Sequence, residues 1–183
     1  FLIDESHNLV DRSRSMFSAE LKKSVFLEKK RIMKDKHPKI YKALNNINKY
    51  MIDMRKKCGD STYYVQKEEP SDIYPLLSAF VREADEYLKD GSKSDGLEDL
   101  LELYFNIRTF LKIAEFYDER YITNVDKRDK DVFLKIFCID PSYLLGEVMK
   151  RGRSAIFFSA TLTPLKYFMD ILGGREDDYY LRL

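Results

Sequence analysis

Two adjacent carboxylates, Asp4 and Glu5, close the apolar run Phe1-Leu2-Ile3 and are followed by Ser6 and His7. An apolar run that delivers acids reads as a buried strand whose C-terminal end opens on a site, the edge at which open parallel sheets bind ligands. One carboxylate of such a pair can hold a hydrated Mg2+ while the other polarises the water that attacks a phosphate. The same pair could equally close a surface strand with no chemistry attached. Few other residues offer chemistry. His7 and His37 are the only histidines, and His37 beside Pro38 reads most simply as a helix boundary. Cys58 and Cys138 lie far apart and fit neither a disulfide framework nor a metal motif. No Gly-x-x-x-x-Gly-Lys-Ser/Thr loop is present to cradle phosphates.

The net charge of +1 hides an asymmetry. Residues 8–58 hold fifteen lysines and arginines against five acidic residues, and the remainder of the chain is acidic. Such a concentration is the footprint expected for a phosphate backbone. The alternative is a solvated helical face balanced by the acidic remainder. The candidates for phosphate contact are Arg12, Arg14, Lys39, Lys42, Lys49, Arg55 and Lys56. Tyr41 and Tyr50 beside them could stack on bases or pack on neighbouring helices, and packing is the commoner use of helical aromatics.

The elements that must position these residues are mainly helical. Residues 8–36 lack Gly and Pro and predict one long helix or two abutting ones, with Phe17, Leu21, Val25 and Ile32 on one face. Pro38 opens a second helix in which Ile40, Leu44, Ile47, Met51, Met54 and Cys58 alternate spacings of four and three, with Gly59 as its stop. Residues 61–66 read as extended. A third helix should run to about residue 90 with Ile73, Leu77, Phe80, Ala84 and Leu88 inward. After a polar break at residues 90–94, a fourth helix over about 95–121 carries apolar residues around most of its circumference and should be buried on several sides. Residues 121–125 and 132–139 predict a hairpin. Asp140-Pro141 starts a helix, residues 154–159 form an apolar strand, and Thr163-Pro164 opens a last helix stopped by Gly173-Gly174.

Composition places the chain among globular proteins, with 44% hydrophobic and 34% charged residues. No apolar run approaches the roughly 18 residues that span a bilayer, so no membrane association is expected, and an intracellular, reducing location is. Beginning at Phe1 without a methionine, inside an apparent strand, the chain reads as a piece of something longer.

A second stretch, Ile156-Phe157-Phe158-Ser159-Ala160-Thr161-Leu162-Thr163-Pro164, complements the first. An apolar strand ending in Ser159-Ala160-Thr161, paired with one ending in Asp4-Glu5-Ser6-His7, resembles motifs III and II of superfamily 2 helicases, with Ser6 where alanine is usual. The long helical segment between them resembles the Arch insertion of the XPD/DinG branch of DNA helicases, as do the phrases Ile3-Asp4-Glu5-Ser6-His7-Asn8-Leu9 and Cys138-Ile139-Asp140-Pro141-Ser142.

The resemblance implies a mainly α fold. Residues 1–7 would end a motor-domain strand carrying motif II. Residues 8–139 would form a helical Arch-type insertion of about four long helices with a small β-hairpin. Residues 140–183 would return to the RecA-like α/β motor domain with motif III. It implies ATP and Mg2+ as cofactors, with Asp4 holding Mg2+ through water and Glu5 orienting the water that attacks the γ-phosphate. His7 would link the nucleotide site to Ser159 and Thr161, whose hydroxyls relay nucleotide state. The parent would be an ATP-dependent, single-stranded DNA translocase of repair or replication, cytoplasmic or nucleoid-associated in a bacterium. It is expected as a monomer, with a protein partner possible on the Arch. An iron–sulfur cluster, where the parent has one, would lie outside this chain. Lacking the phosphate loop, this segment alone should be inactive as an ATPase. A helical protein–protein interaction module without motor activity is the alternative.

Overall fold

The structure is a computed structural model describing residues 1–89, 97–128 and 131–181, with the backbone alone for 97–99. The polar break expected at residues 90–94, the start of the helix expected from residue 95, and residues 129–130 of the hairpin turn lie outside the described residues. The first half comprises β1 (Leu2–Ile3), a 3-10 turn (Ser6–Asn8), α1 (Leu9–Met16), β2 (Ala19–Lys22), α2 (Lys23–Met33), α3 (Pro38–Lys57) and β3 (Tyr63–Gln66). There follow a 3-10 turn (Ser71–Ile73), α4 (Tyr74–Lys89), α5 (Leu97–Ala114), β4 (Tyr121–Arg128), β5 (Asp131–Cys138), α6 (Ser142–Met149), β6 (Ile156–Phe157) and α7 (Leu165–Ile171). Among the described residues the fold is mixed α/β and mainly helical, with no barrel. No helix among the described residues is long and apolar enough to cross a membrane.

The chain divides into two compact units, residues 18–137 and residues 1–17 with 138–183. In the central unit, residues 18–137, the four helices α2 to α5 accompany a sheet of strand order β2-β5-β4-β3. Helix α3 is the element best written in the sequence. Ile40, Leu44, Ile47, Met51, Met54 and Cys58 are all buried along one stripe. Pro38 occupies the first turn, and the His37 side chain caps it by accepting the Ile40 N–H at 3.4 Å. Ile73, Leu77, Phe80 and Ala84 are buried as their spacing requires, but Tyr87 rather than Leu88 fills the last turn of α4. Along β4 and β5 the inward positions Tyr121, Thr123, Val125, Val132, Leu134, Ile136 and Cys138 alternate with partly exposed ones. That alternation is the period-two pattern of a sheet with one packed face.

Two expectations change here. Residues 19–22 are not helical: they form β2, pairing antiparallel with β5 in the register Ala19↔Ile136 and Leu21↔Leu134. Leu21 is buried in either conformation, so the four-residue spacing of Phe17, Leu21 and Val25 concealed a strand edge whose Ala19 and Leu21 both point inward. Helix α5 is buried along Leu100, Leu103, Ile107 and Phe110 but leaves Phe105 59% exposed, so one side faces outward.

In the terminal unit, β1 and β6 pair in parallel, Leu2↔Ile156 and Ile3↔Phe157. Val10 of α1, Leu145 of α6 and Leu172 form its core cluster, with Phe157 and Phe168 packed against it. Residues 8–17, expected with the helical insertion, belong to this unit instead. Their apolar residues Leu9, Val10 and Phe17 join the cluster with α6 and α7. Asp140 and Pro141 start α6 as anticipated, the Asp140 carboxylate accepting the Ser142 N–H at 2.9 Å. After α7 the chain turns at Gly173, whose φ of +78° no L side chain adopts without strain. A Cβ there would also stand 2.6 Å from the Ser142 carbonyl oxygen.

Candidate functional site

Two short strands bring together residues more than 150 positions apart. Beyond the β1–β6 ladder, the Phe158 N–H donates to the Ile3 carbonyl at 3.1 Å and the Ser6 N–H donates to the Phe158 carbonyl at 3.2 Å. The Ser6 hydroxyl, fully buried, donates to that same carbonyl at 3.1 Å. Ser6 is therefore more than a small residue standing where alanine is usual. Its side chain reinforces the join between the two strand ends, a role the sequence does not announce.

Between Ile3 and the 3-10 turn the backbone reverses at Glu5, which sits in the left-handed region with φ 48° and ψ 41°. A non-glycine residue there costs about 1–2 kcal/mol, and such outliers cluster at functional sites. The Glu5 N–H donates to the Asp4 carboxylate at 2.7 Å, which fixes one oxygen of Asp4. Both carboxylates are exposed.

His7 connects the two strand ends. Its Nδ1 lies 2.8 Å from the Ser159 hydroxyl and 3.2 Å from the Glu5 carboxylate. A serine–histidine–acid relay needs the hydroxyl and the acid on opposite ring nitrogens. Here both address Nδ1, so the arrangement does not activate Ser159 as a nucleophile. With the proton on Nδ1 the ring donates to Glu5; without it, Nδ1 accepts the Ser159 O–H. Ser159 is in turn bound to Thr161: the two hydroxyls are 3.3 Å apart, and the Thr161 N–H donates to Ser159 Oγ at 3.3 Å. Glu5, His7, Ser159 and Thr161 thus form one connected set, while Asp4 is tied to it through the Glu5 backbone. Ala160 is exposed and makes room without contributing a polar group.

The apolar strands behind this set are less buried than their composition predicts. Leu2 is 74% and Ile156 59% exposed. The terminal unit has only two strands in its sheet, so their outward faces have nothing stacked on them among its described residues.

The basic candidates fall into two groups. Arg12 and Arg14 belong to the terminal unit, and Lys39, Lys42, Lys49, Arg55 and Lys56 to α3 of the central unit. Arg14 is committed locally, donating to the Ile139 carbonyl at 2.9 Å and lying 3.5 Å from Asp11. Lys39 lies between Glu83 and Glu86 at 3.7 and 3.6 Å. Lys56 pairs with Asp53 at 2.7 Å. Lys42, Lys49 and Arg55 are exposed and have no carboxylate partner among the described residues. Neither neighbouring tyrosine is presented as a stacking platform. Lys30 stands 5.7 Å from the Tyr41 ring centre. Burial, with the Asp72 carboxylate nearby, pushes the Tyr50 hydroxyl up to about 12. Cys58 and Cys138 are buried free thiols. No protein-family model matches the chain, and no curated protein matches it.

Proposed function

We propose that the chain is a segment of an ATP-dependent DNA helicase of the XPD/DinG branch. In this reading the central unit is an Arch-type insertion and the terminal unit belongs to the first RecA-like motor domain, so the insertion leaves the motor after Phe17 and returns at Cys138. The observation that carries the reading is the parallel pairing of β1 with β6, which sets His7 Nδ1 2.8 Å from Ser159 Oγ. A parallel pair with a long connection between its strands, and acids at the C-terminal end of one strand, is the arrangement of a nucleotide site in an α/β motor. The exposed apolar faces of Leu2 and Ile156 also support it, since parallel sheets are normally covered on both faces.

The residues present fit Mg2+ through Asp4. Its carboxylate is exposed, and one oxygen is oriented by the Glu5 N–H. Mg2+ keeps several waters and is usually held by one or two carboxylates together with substrate phosphates. When bound, it neutralises charge developing on the transferred phosphate. Glu5 orients the attacking water, and the left-handed backbone at Glu5 directs that carboxylate back toward the imidazole. His7 passes the state of Glu5 to Ser159, and Ser159 passes it to Thr161. The phosphates of ATP have no cradle in this sequence, so the chain by itself neither hydrolyses ATP nor unwinds DNA. An iron–sulfur cluster, where the parent carries one, lies outside these residues. The Arch guides single-stranded DNA and docks a protein partner. Docking without a motor, the second reading, is supported by Phe105, 59% exposed on α5.

The test is to join the chain to its upstream phosphate-loop segment and measure Mg2+-dependent, DNA-stimulated ATPase. Glu5→Gln is expected to lower turnover by at least about a hundredfold, a loss of the size seen when one preorganised catalytic group is removed. Full turnover in that variant would overturn the assignment.

A further inference from the structure

We propose that the outward surface of the α2–α3 hairpin binds duplex nucleic acid through its phosphates, independently of base sequence. Residues 23–57 carry twelve lysines and arginines against three acidic residues, the densest positive charge in the chain. On α3 the buried stripe runs through Ile40, Leu44, Ile47, Met51 and Met54. Lys42, Lys49 and Lys56 recur every seven residues on the side away from it and are all exposed. At 1.5 Å per residue the row advances about 10.5 Å per step and spans about 21 Å. Helix α2 widens the surface. Lys30 donates to the Asn45 side chain at 3.0 Å, joining the two helices beside the row, and Lys34, the residue that caps the C-terminus of α2, is exposed. Lys42 and Lys49 have no carboxylate to satisfy among the described residues, and the exposed Lys56–Asp53 pair exchanges readily for a phosphate.

The choice of duplex over single strand follows from what accompanies the charge. Single strands are held by exposed aromatic rings on which bases stack, in addition to cations. The two tyrosines of α3 are both partly buried, Lys30 stands 5.7 Å from the Tyr41 ring centre, and the exposed Tyr63 lies on β3, outside the hairpin. What is left is a row of three lysines on one helix face, with the partly buried Asn45 and Asn46 between the first two and the exposed Ile52 and Asp53 between the last two. That suits a stiff lattice of phosphates, where one negative charge recurs about every 1.7 Å of axis. The surface lies in the central unit and shares no residue with the set Glu5, His7, Ser159 and Thr161, so failure of duplex binding and failure of the nucleotide reading are separate outcomes.

The experiment is fluorescence anisotropy on the full 183-residue chain, with a random-sequence duplex of about 20 base pairs and either of its strands alone, between about 50 and about 200 mM salt. The duplex is expected to bind more tightly than the strand. Its affinity should fall about 40-fold over that range, the slope for roughly three phosphate contacts. Combining Lys42→Gln, Lys49→Gln and Lys56→Gln should weaken duplex binding at least tenfold and flatten the salt slope, with an unchanged circular dichroism melt. The triple arginine replacement should retain affinity. Equal or tighter binding of the single strand overturns the proposal. So does a triple glutamine variant that keeps full duplex affinity, or a polyglutamate peptide that binds as tightly as the duplex.

Discussion

The two units are held together by different means. In the central unit Leu21, Phe26, Leu44, Phe80, Phe110 and Val125 are fully buried, and helices and sheet share a large apolar interior. The core cluster of the terminal unit is Val10, Leu145 and Leu172, while Leu2 and Ile156 stay largely exposed. What positions Glu5, His7, Ser159 and Thr161 is therefore a short backbone ladder, the Ser6 hydroxyl and the imidazole rather than side-chain packing. Polar joins fix geometry while contributing only about 0.5–1.5 kcal/mol each. The central unit has the makings of an autonomous scaffold. The terminal unit carries Asp4, Glu5, His7, Ser159 and Thr161, on a frame that its described residues cover only in part.

That contrast can be broken at several points. The largest effect should come from Phe110→Ala, which opens a cavity among α4, α5 and the sheet. It is expected to cost about 3–5 kcal/mol in urea unfolding, and a loss below about 1 kcal/mol would mean the central core is not cooperative. Next is Gly173→Ala. The positive φ and the approach of the Ser142 carbonyl and the Gly146 amide nitrogen leave no room for a Cβ. A cost of about 2 kcal/mol or more, confined to the terminal unit by amide hydrogen exchange, is expected. Loss of protection spread through residues 18–137 would instead show the units to be one cooperative body. Ser6→Ala removes the second donor to the Phe158 carbonyl but leaves the Ser6 N–H in place. It should cost about 1 kcal/mol, and no change would make the hydroxyl incidental to the join.

A last effect appears only at alkaline pH. Burial, with Asp72 second, raises the Tyr50 hydroxyl from 10.0 to about 12. The folded state therefore holds this proton more tightly than the unfolded chain. The corresponding stability is present below pH 10 and is lost as pH rises through about 12. Tyr50→Phe should make the fall in melting temperature over that window shallower, and an unchanged alkaline profile would place the hydroxyl in water.

How far the sequence could be read depends on whether one period had a competitor. Six apolar residues at spacings of four and three left α3 no alternative, and Pro38 and Asp140-Pro141 marked helix starts through backbone chemistry alone. Residues 19–22 were illegible because Leu21 satisfies both a helical stripe and an inward strand position, and only pairing with β5 decides between them. Tyr87 replaced Leu88 because the last turn of α4 meets the His37 ring, 5.3 Å away between centres. At the site, the chemistry-bearing residues could be named from their types and order. The left-handed backbone at Glu5, the double use of the Phe158 carbonyl and the convergence on one imidazole nitrogen are products of chain reversal. No residue type announces them.

The central claim is that β1 and β6 carry a single coupled site, and a double-mutant cycle on His7→Ala and Ser159→Ala tests it most directly. In the helicase reading proposed above, the readout is DNA-stimulated ATPase by the chain joined to a phosphate-loop segment. The account predicts that the second substitution costs little once the first is made, a coupling of about 0.5–3 kcal/mol. Strictly additive losses would contradict it, because the 2.8 Å contact would then transmit nothing between the two strands.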